Sequence, residues 1–537
     1  MFDRLRANLS YVAGVRRLLK QRLSLEDCRR LVAAQQANRV ASFLRVLERG
    51  VYQNPRSPYR RLLEHAGIDL AEIERMVNAE GIEGTLERLY DAGVYVTQAE
   101  LKGRLPIRRP GLEFDVSESD FDNPLVVAAY EAETSGSTGT PSRVLLGLEL
   151  TAYEAAYSKL LLATGGFREG ETALWRPVPP DASGLFGILL FSKIGHTPSR
   201  WFSQAPLRWD LRGLQQTLRT ALVLFAGSLA GERLPWPRFV PRDKPIVIAR
   251  WLAEQKLRGN PGFLDTSSSA AVRVCLAARE NGLDISGSVI AASGEPYTEG
   301  KDAVLRMVGV VPVVHYNMAQ IGKLGLPCAN PIALDDLHLV TDKVAAIQRD
   351  LSVGEGDATV GALYYTTLLP HCPRLMINAE IGDYARLEQR DCGCHLASLG
   401  LQTHLVGVRG YDKLTSEGVT FFGNDLFRLV EEDLPARFGG HATDYQLAEQ
   451  EVDGLTRIEI IVSPAVDDVD EQAVLEYVLK GLANVGVSGS PMAEQWRQAG
   501  TMRVVRREPH ASGNRKILPL HFLEAVQRGD ERSRRAP

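Results

Sequence analysis

No excess of either charge runs through this chain of 537 residues: 66 acidic against 62 basic side chains leave a formal net charge of −4. That balance excludes the basic stripe of a nucleic-acid binder and the polybasic patch that docks on an anionic membrane. Long apolar runs are missing too. The most apolar stretch, TALVLFAGSLAGERLP from Thr220, is interrupted at Gly227, Ser228 and Glu232, well short of the ~18 continuous apolar residues that a spanning helix needs. The first 25 residues set arginines among leucines at helical spacing without the apolar core of a secretion signal, so a cytoplasmic amphipathic helix is expected. Cysteine is scarce. Six thiols, at positions 28, 275, 328, 372, 392 and 394, make no disulfide framework in a chain of this length that has no secretion signal. Small molecules or other proteins are left as partners, with the oligomeric state, a homodimer included, undecided by the sequence.

Against those absences stands a loop of small residues, TSGSTGTPSR from Thr134 to Arg143. Gly136 and Gly139 let the backbone bring N–H groups close to anionic oxygens, while Ser135, Ser137, Thr138 and Thr140 add hydroxyl donors. The loop suits a polyphosphate, yet no lysine follows the second glycine as the P-loop pattern requires, which disfavours a P-loop kinase or ATPase. Taken alone, the same composition also describes an ordinary Ser/Gly turn between strands. A second feature is Cys392-Gly393-Cys394. One intervening glycine lets two thiolates converge on an ion, and Cys328 with His338 completes a candidate Cys3His zinc site. His395, His371 and Cys372 are spare ligands, and buried inert thiols are the alternative reading.

Hydrophobic periodicity organises the chain as an α/β protein. Residues 1–110 read as helices, for example LEDCRRLVAAQQANRVASFLRVLERG, which ends at Gly50. Between Pro124 and Asp383 the apolar runs PLVVAAYEAE, PIVIARWL, SGSVIAASGE, VGVVPVVHYN and ATVGALYYTT read as strands that alternate with amphipathic stretches. After Arg409 comes the turn-rich GYDKLTSEGVTFFG, then a helix NDLFRLVEEDLPARF, a strand TRIEIIVSP, a helix DEQAVLEYVLKGLANVG and a strand MRVVRRE. The expected architecture is a large multi-layered body, residues 1–409, with a small mobile α+β lid, residues 410–537.

Four further segments follow the hydroxyl-glycine loop in order: ASGEP (Ala292–Pro296), HYNMAQ (His315–Gln320), INAEIGD (Ile377–Asp383) with VRGYDKL (Val408–Leu414), and SGNRKILPL (Ser512–Leu520). Together with TSGSTGTPSR they resemble the adenylate-forming enzymes: acyl-CoA synthetases, nonribosomal adenylation domains and luciferases. The phenylacetate-CoA ligase branch is the most similar, because a CxC segment and a YYTTLLP-like strand (Tyr364–Pro370) also occur there. The resemblance implies an AMP-forming acid–thiol ligase that uses ATP and Mg²⁺. It implies that Ser135, Gly136, Ser137, Thr138 and Gly139 close on the β- and γ-phosphates, with Arg143 able to supply a cation in place of the customary lysine. Ser293, Gly294, Glu295 and Pro296 would line the adenine and Tyr316, beside Asn317, would stack on it. Asp383 would take the ribose hydroxyls, Arg409 would reach ribose or phosphate, and Lys516 would bridge the carboxylate and the α-phosphate. Asp412 and Lys413 would mark the hinge of the lid.

One departure from the family matters. Its usual YG-x-TE segment ends in a carboxylate that helps to hold Mg²⁺, whereas this chain has the neutral Gln320 there, so Coulomb attraction for the dication is lost. Three functions follow: a coenzyme A ligase for an aryl or related small acid, an enzyme that loads a carrier-protein phosphopantetheine or an amine, and a non-catalytic adenylate-binding protein. Residues Phe263 to Ser269, Ala292 and His315 to Met318 are expected to line the acid pocket.

Overall fold

A computed structural model describes residues 13–126, 129–133, 143–179, 181, 183–207, 211–318, 321–352, 359–410, 413–416, 419–422, 429–441, 444–467, 469–483, 486–510 and 520–521. The opening is helical as far as Leu101, with helices Leu25–Ala37, Arg39–Arg45, Pro58–His65, Leu70–Asp91 and Gln98–Leu101. Ser24 and Asp27 satisfy each other's backbone N–H groups at the start of the first helix, which fixes where it begins. A hairpin of β1 (Ile107–Arg109) and β2 (Leu112–Phe114) follows, and β3 (Ala129–Glu133) pairs antiparallel with β4 (Arg143–Gly147).

Beyond the helix Leu148–Thr164 lies a parallel sheet of β5 (Thr172–Trp175), β6 (Arg200–Ser203), β7 (Pro237–Phe239), β8 (Phe263–Ser267), β9 (Val289–Ser293) and β10 (Val311–Val314), in the order β10-β9-β8-β5-β6-β7. Alternation along the strands sends Leu174, Phe263, Val289 and Ala291 into one core and Ala173, Trp175, Leu264, Ile290 and Ala292 into another. Both faces are covered, so these strands read as nearly continuous apolar runs. PIVIARWL is the exception. It is not a strand but the start of the helix Ile246–Leu257, because the helix formers of AEQKL extend the run past strand length and the segment is the crossover from β7 to β8.

The run VGVVPVVHYN is likewise not one strand. It is cut at His315, so β10 ends the parallel sheet and β11 (Tyr316–Met318) opens a second, antiparallel sheet. This seven-stranded sheet adds β12 (Gly322–Pro327), β13 (Leu337–Leu339), β14 (Val344–Ser352), β15 (Thr359–Thr367), β16 (Ala379–Gln389) and β17 (Thr403–Gly410), in the order β11-β12-β13-β17-β16-β15-β14. Tyr59, Leu86 and Leu89 of the opening helices share its core with Ala345, Tyr364 and Leu368. Buried charge also ties it down: Glu154, from the helix Leu148–Thr164, meets Lys343 Nζ at 2.5 Å and Lys323 Nζ at 3.7 Å.

The turn-rich segment after Arg409 contains a hairpin, β18 (Lys413–Ser416) paired with β19 (Val419–Phe422). Its alternating Leu414, Val419 and Phe421 suit strands better than a plain turn. The expected helix NDLFRLVEEDLPARF is, where described, a π-helical turn Leu429–Asp433 and a helix Leu434–Phe438. A four-stranded sheet, β22-β21-β20-β23, is then built from β20 (Tyr445–Val452), β21 (Leu455–Val462), β22 (Met502–Arg506) and β23 (Leu520–His521). With helices Glu471–Ala483 and Gly486–Ala499 it encloses its own core around Ile458, Ile460, Val478 and Trp496. This module rests on the body through Arg273 Nη2 to Ala499 O (2.6 Å) and Lys301 Nζ to Thr456 Oγ1 (3.1 Å). Among the described residues no helix is long and apolar enough to cross a membrane.

Candidate active site

The carboxyl edge of a parallel sheet is where α/β folds hold ligands, since the loops there leave backbone donors pointing outward. At that edge β9 ends in Ser293, and Gly294, at φ 81°, turns the chain into Glu295-Pro296. Ser293 Oγ accepts a hydrogen bond of 2.8 Å from Arg176 Nη2, and the same guanidinium grips Asp265 through two bonds of 3.0 Å. Burial pushes the Asp265 carboxyl up, but the charge and hydrogen bonds of Arg176 overcome it and hold the group below its ordinary value. Arg176 belongs to none of the sequence motifs. Its only signal was its place just past the apolar strand TALW. Glu295 is turned inward: Ser269 donates to its carboxylate and Lys301 Nζ lies 3.6 Å from it, both charged side chains being fully buried.

Tyr316 begins the antiparallel sheet, and its hydroxyl donates to Asp383 Oδ2 at 2.5 Å. Burial first, and the Asp383 charge second, raise the phenol well above its usual range, so it acts as a donor there. Asp383 follows Gly382, at φ 76°, in β16. The rungs Asp383↔Gly410 and Tyr384↔Arg409 set it beside Arg409 on β17. Arg409 reaches back to the parallel sheet, with Nη2 donating at 3.4 Å to the carbonyl of Tyr297, the residue after Pro296, and Nη1 donating at 2.7 Å to Asp335 Oδ2. Ser293, Gly294, Glu295, Pro296, Tyr316, Asp383 and Arg409 are therefore gathered where the two sheets meet. Asn317 is the exposed middle residue of β11, and Arg143 is the register partner of Glu133 in the β3–β4 pair. Ser135, Gly136, Ser137, Thr138, Gly139, Gln320, Asp412 and Lys516 lie outside the described residues.

His315 sits in the seam itself. Burial, helped by the charge of Lys323, lowers its pKa to about 3, and its Nδ1 has no hydrogen-bond partner among the described residues. Ser268 Oγ, just past β8, is also buried without one.

Cys328, His338, Cys392 and Cys394 converge, with one donor atom from each lying within 4.8 Å of all the others. His338 Nδ1 lies 2.6 Å from the Leu401 carbonyl, which can only accept, so the proton is on Nδ1 and the lone pair is on Nε2. That Nε2 faces Cys394 Sγ at 3.2 Å and Cys392 Sγ at 3.5 Å. Burial lowers the imidazole pKa to about 4, so the ring is neutral at pH 7, the form that ligates metal. Backbone N–H groups point at the sulfurs, Asn330 at Cys328 and Leu396 at Cys394, each at 3.3 Å. Gly393, at φ 69°, turns the chain between the two neighbouring thiols. Burial takes the Cys328 thiol up to about 12. At Cys394 burial pushes the same way, but the N–H groups of Ala397 and Leu396 and the Cys392 thiol bring the group below its ordinary value.

No protein-family profile matches the chain and no curated protein matches it in sequence. Solved structures do. A crystal structure of 2-hydroxyisobutyryl-CoA ligase in complex with 2-HIB-AMP and CoA, in the thioesterification state, superposes with a TM-score of 0.55 at 16% identity, covering 91% of this chain and 90% of that one. The same ligase in the postadenylation state, in complex with R3-HIB-AMP, gives 0.44 at 14% identity over 94% and 92%. An o-succinylbenzoate CoA synthetase from Bacillus subtilis gives 0.38 at 14% over 72% and 67%. The first of these likenesses establishes the architecture alone: the chain shares the fold of that ligase over nearly its whole length.

Proposed function

We propose that the chain activates a small carboxylic acid with ATP and passes the acyl group to coenzyme A. A carboxylate oxygen attacks the α-phosphorus and pyrophosphate leaves; the coenzyme thiolate then attacks the acyl carbonyl of the acyl-AMP and AMP leaves. Charge grows on the phosphate oxygens in the first step, so positioned donors do most of the work. The observation that carries this reading is the convergence of Ser293–Pro296, Tyr316, Asp383 and Arg409 at one sheet junction in a chain of this fold. The Ser135–Gly139 loop, with Arg143, would close on the β- and γ-phosphates, and Ser293–Pro296, Tyr316 and Asn317 would flank the adenine. Asp383 and Arg409 would hold the ribose and phosphate, and Lys516 would bridge acid and α-phosphate once the lid, residues 410–537, docks on the body, residues 1–409. Mg²⁺ would rest mainly on the phosphates, since Gln320 offers only an amide oxygen. Coenzyme A as acceptor is supported by the fold relative captured with 2-HIB-AMP and CoA.

The Cys328, His338, Cys392 and Cys394 donors fit a structural Zn²⁺: three sulfurs and one imidazole nitrogen suit a closed tetrahedral site without an open position. Ser268 Oγ and His315 Nδ1, buried and without partners among the described residues, suit the polar end of the acid. An aryl acid, and with it the phenylacetate branch, rests on the sequence resemblance alone. The test is ATP–pyrophosphate exchange with a panel of aryl and small hydroxylated acids, followed by turnover with coenzyme A against a carrier protein. Exchange with at least one acid and thioester formation with coenzyme A are expected. Tight ATP binding without exchange for any acid would sink the reading in favour of a nucleotide-binding protein, the outcome that Gln320 favours.

A further inference from the structure

The Cys/His cluster and Arg409 are joined by two adjacent carboxylates, Asp335 and Asp336, both buried. Asp336 belongs to the cluster side. Its carbonyl accepts the Cys328 N–H at 3.1 Å. Its carboxylate accepts the Ile332 N–H at 2.9 Å, meets His404 Nδ1 at 2.6 Å and takes the guanidinium of Arg390. His404 in turn packs against the ligand His338, ring centroids 4.1 Å apart. Two residues beyond Asp336 the chain reaches His338 itself, in β13, whose rungs Leu337↔Leu405 and His338↔His404 tie it to β17. Asp335 points the other way. Oδ2 accepts from Arg409 Nη1 at 2.7 Å and Oδ1 accepts from the Gly407 N–H at 3.3 Å, so it grips the end of β17 twice.

From this geometry we infer that the metal-loaded cluster is a positioning device for the nucleotide site, acting through Asp335 on Arg409. The loop Cys328–Asp336 carries a ligand at its first residue, and His338 follows two residues after its last, so an ion spanning Cys328 and His338 closes the loop and fixes the Asp335 carboxylate. That carboxylate sets the guanidinium at the level of the Tyr297 carbonyl, next to the Ser293–Pro296 segment. Side chains that orient those touching a ligand cost activity when removed without meeting the ligand themselves. Asp335 is a positioning residue in this scheme, and the inference rests on the reading of Arg409 as a nucleotide contact.

The experiment uses the full chain. Metal content is measured by elemental analysis, ATP affinity by calorimetry, and kcat and KM for ATP by pyrophosphate exchange, for the wild type, Asp335→Asn, Asp335→Glu and Cys392→Ser. Asp335→Asn is expected to keep one zinc per chain, to weaken ATP binding and raise KM roughly tenfold, and to leave kcat within about twofold. Asp335→Glu is expected to recover part of the loss. Cys392→Ser is expected to lose the metal with the same rise in KM, and its combination with Asp335→Asn is expected to add little more. Unchanged ATP affinity in Asp335→Asn, or in wild-type protein stripped of metal by a chelator, overturns the inference. Should Cys392→Ser fail to fold, Asp335→Asn decides the link from Asp335 to Arg409 and the chelator-stripped wild type decides the part played by the metal. A wild type that binds ATP but exchanges with no acid defeats the ligase reading alone, and calorimetry on the variants then settles this one.

Discussion

The two large sheets contribute to the site in different ways. The parallel sheet is held by apolar burial on both faces and would offer a nucleotide mainly backbone, at Ser293-Gly294 beyond β9. The antiparallel sheet is anchored by charge: Glu154 with Lys343 and Lys323 at one end, and Asp335 with Arg409 and Asp336 with His404 and Arg390 at the other. It also supplies the side chains that would recognise the ligand, Tyr316, Asp383 and Arg409. The lesson is a division of labour. Packing places the turn that would flank the adenine, with Arg176 bonded to Ser293, while ionic and hydrogen-bonded contacts aim Tyr316, Asp383 and Arg409, so substitutions of charge should fall unequally on the two halves.

The largest effect expected from that contrast is on stability. Glu154→Gln leaves the fully buried Lys343 and the nearly buried Lys323 without their shared carboxylate, at a cost of about 3–5 kcal/mol. The loss is to be read from urea denaturation. A change below 1 kcal/mol, as for an ordinary surface substitution, would break the claim that charge anchors the antiparallel sheet.

A second effect separates the sheets within the site. Asp383→Ala is expected to lower kcat/KM for ATP in the exchange reaction roughly a hundredfold, the order set by charge-assisted hydrogen bonds at about 1.5–3 kcal/mol each. Ser293→Ala removes only a hydroxyl that accepts from Arg176, so less than about tenfold is expected. Equal losses at the two positions would erase the distinction.

How far the sequence discloses this molecule follows from how local each signal is. SGSVIAASGE is readable as a strand because both its faces are buried, and the order of the motif segments picks out Ser293–Pro296, Tyr316, Asp383 and Arg409, which the junction of the two sheets brings together. PIVIARWL misleads because a short apolar run fits either period, and VGVVPVVHYN because nothing local marks the change of sheet at His315. The Cys3His set was legible only in part, through Cys392-Gly393-Cys394, since Cys328 and His338 lie far from that pair in sequence. Asp335, Arg176 and Glu154 were not legible: their partners Arg409, Asp265 and Lys343 lie 74, 89 and 189 residues away, and such pairings exist only once the sheets are assembled.

The smallest of the expected effects tests the seam between the sheets. His315 is 5% exposed and faces Lys323, Asp265 and Arg176. Burial and the Lys323 charge take its pKa from 6.5 to about 3. Above the unfolded value the ring is neutral in both states and contributes no pH dependence. Between about 6.5 and 3 the unfolded chain takes up a proton that the folded chain refuses, so stability falls as pH drops, by at most about 1.4 kcal/mol per unit from this one group. His315→Gln removes the group while keeping an amide that can hydrogen-bond. The difference in unfolding free energy between wild type and variant should therefore shift steadily in favour of the variant from pH 7 to pH 5, measured by urea denaturation at fixed ionic strength. A difference that stays constant over that range would mean that the imidazole accepts its proton in the folded protein, and that the junction of the two sheets is wetter and more charged than its packing implies.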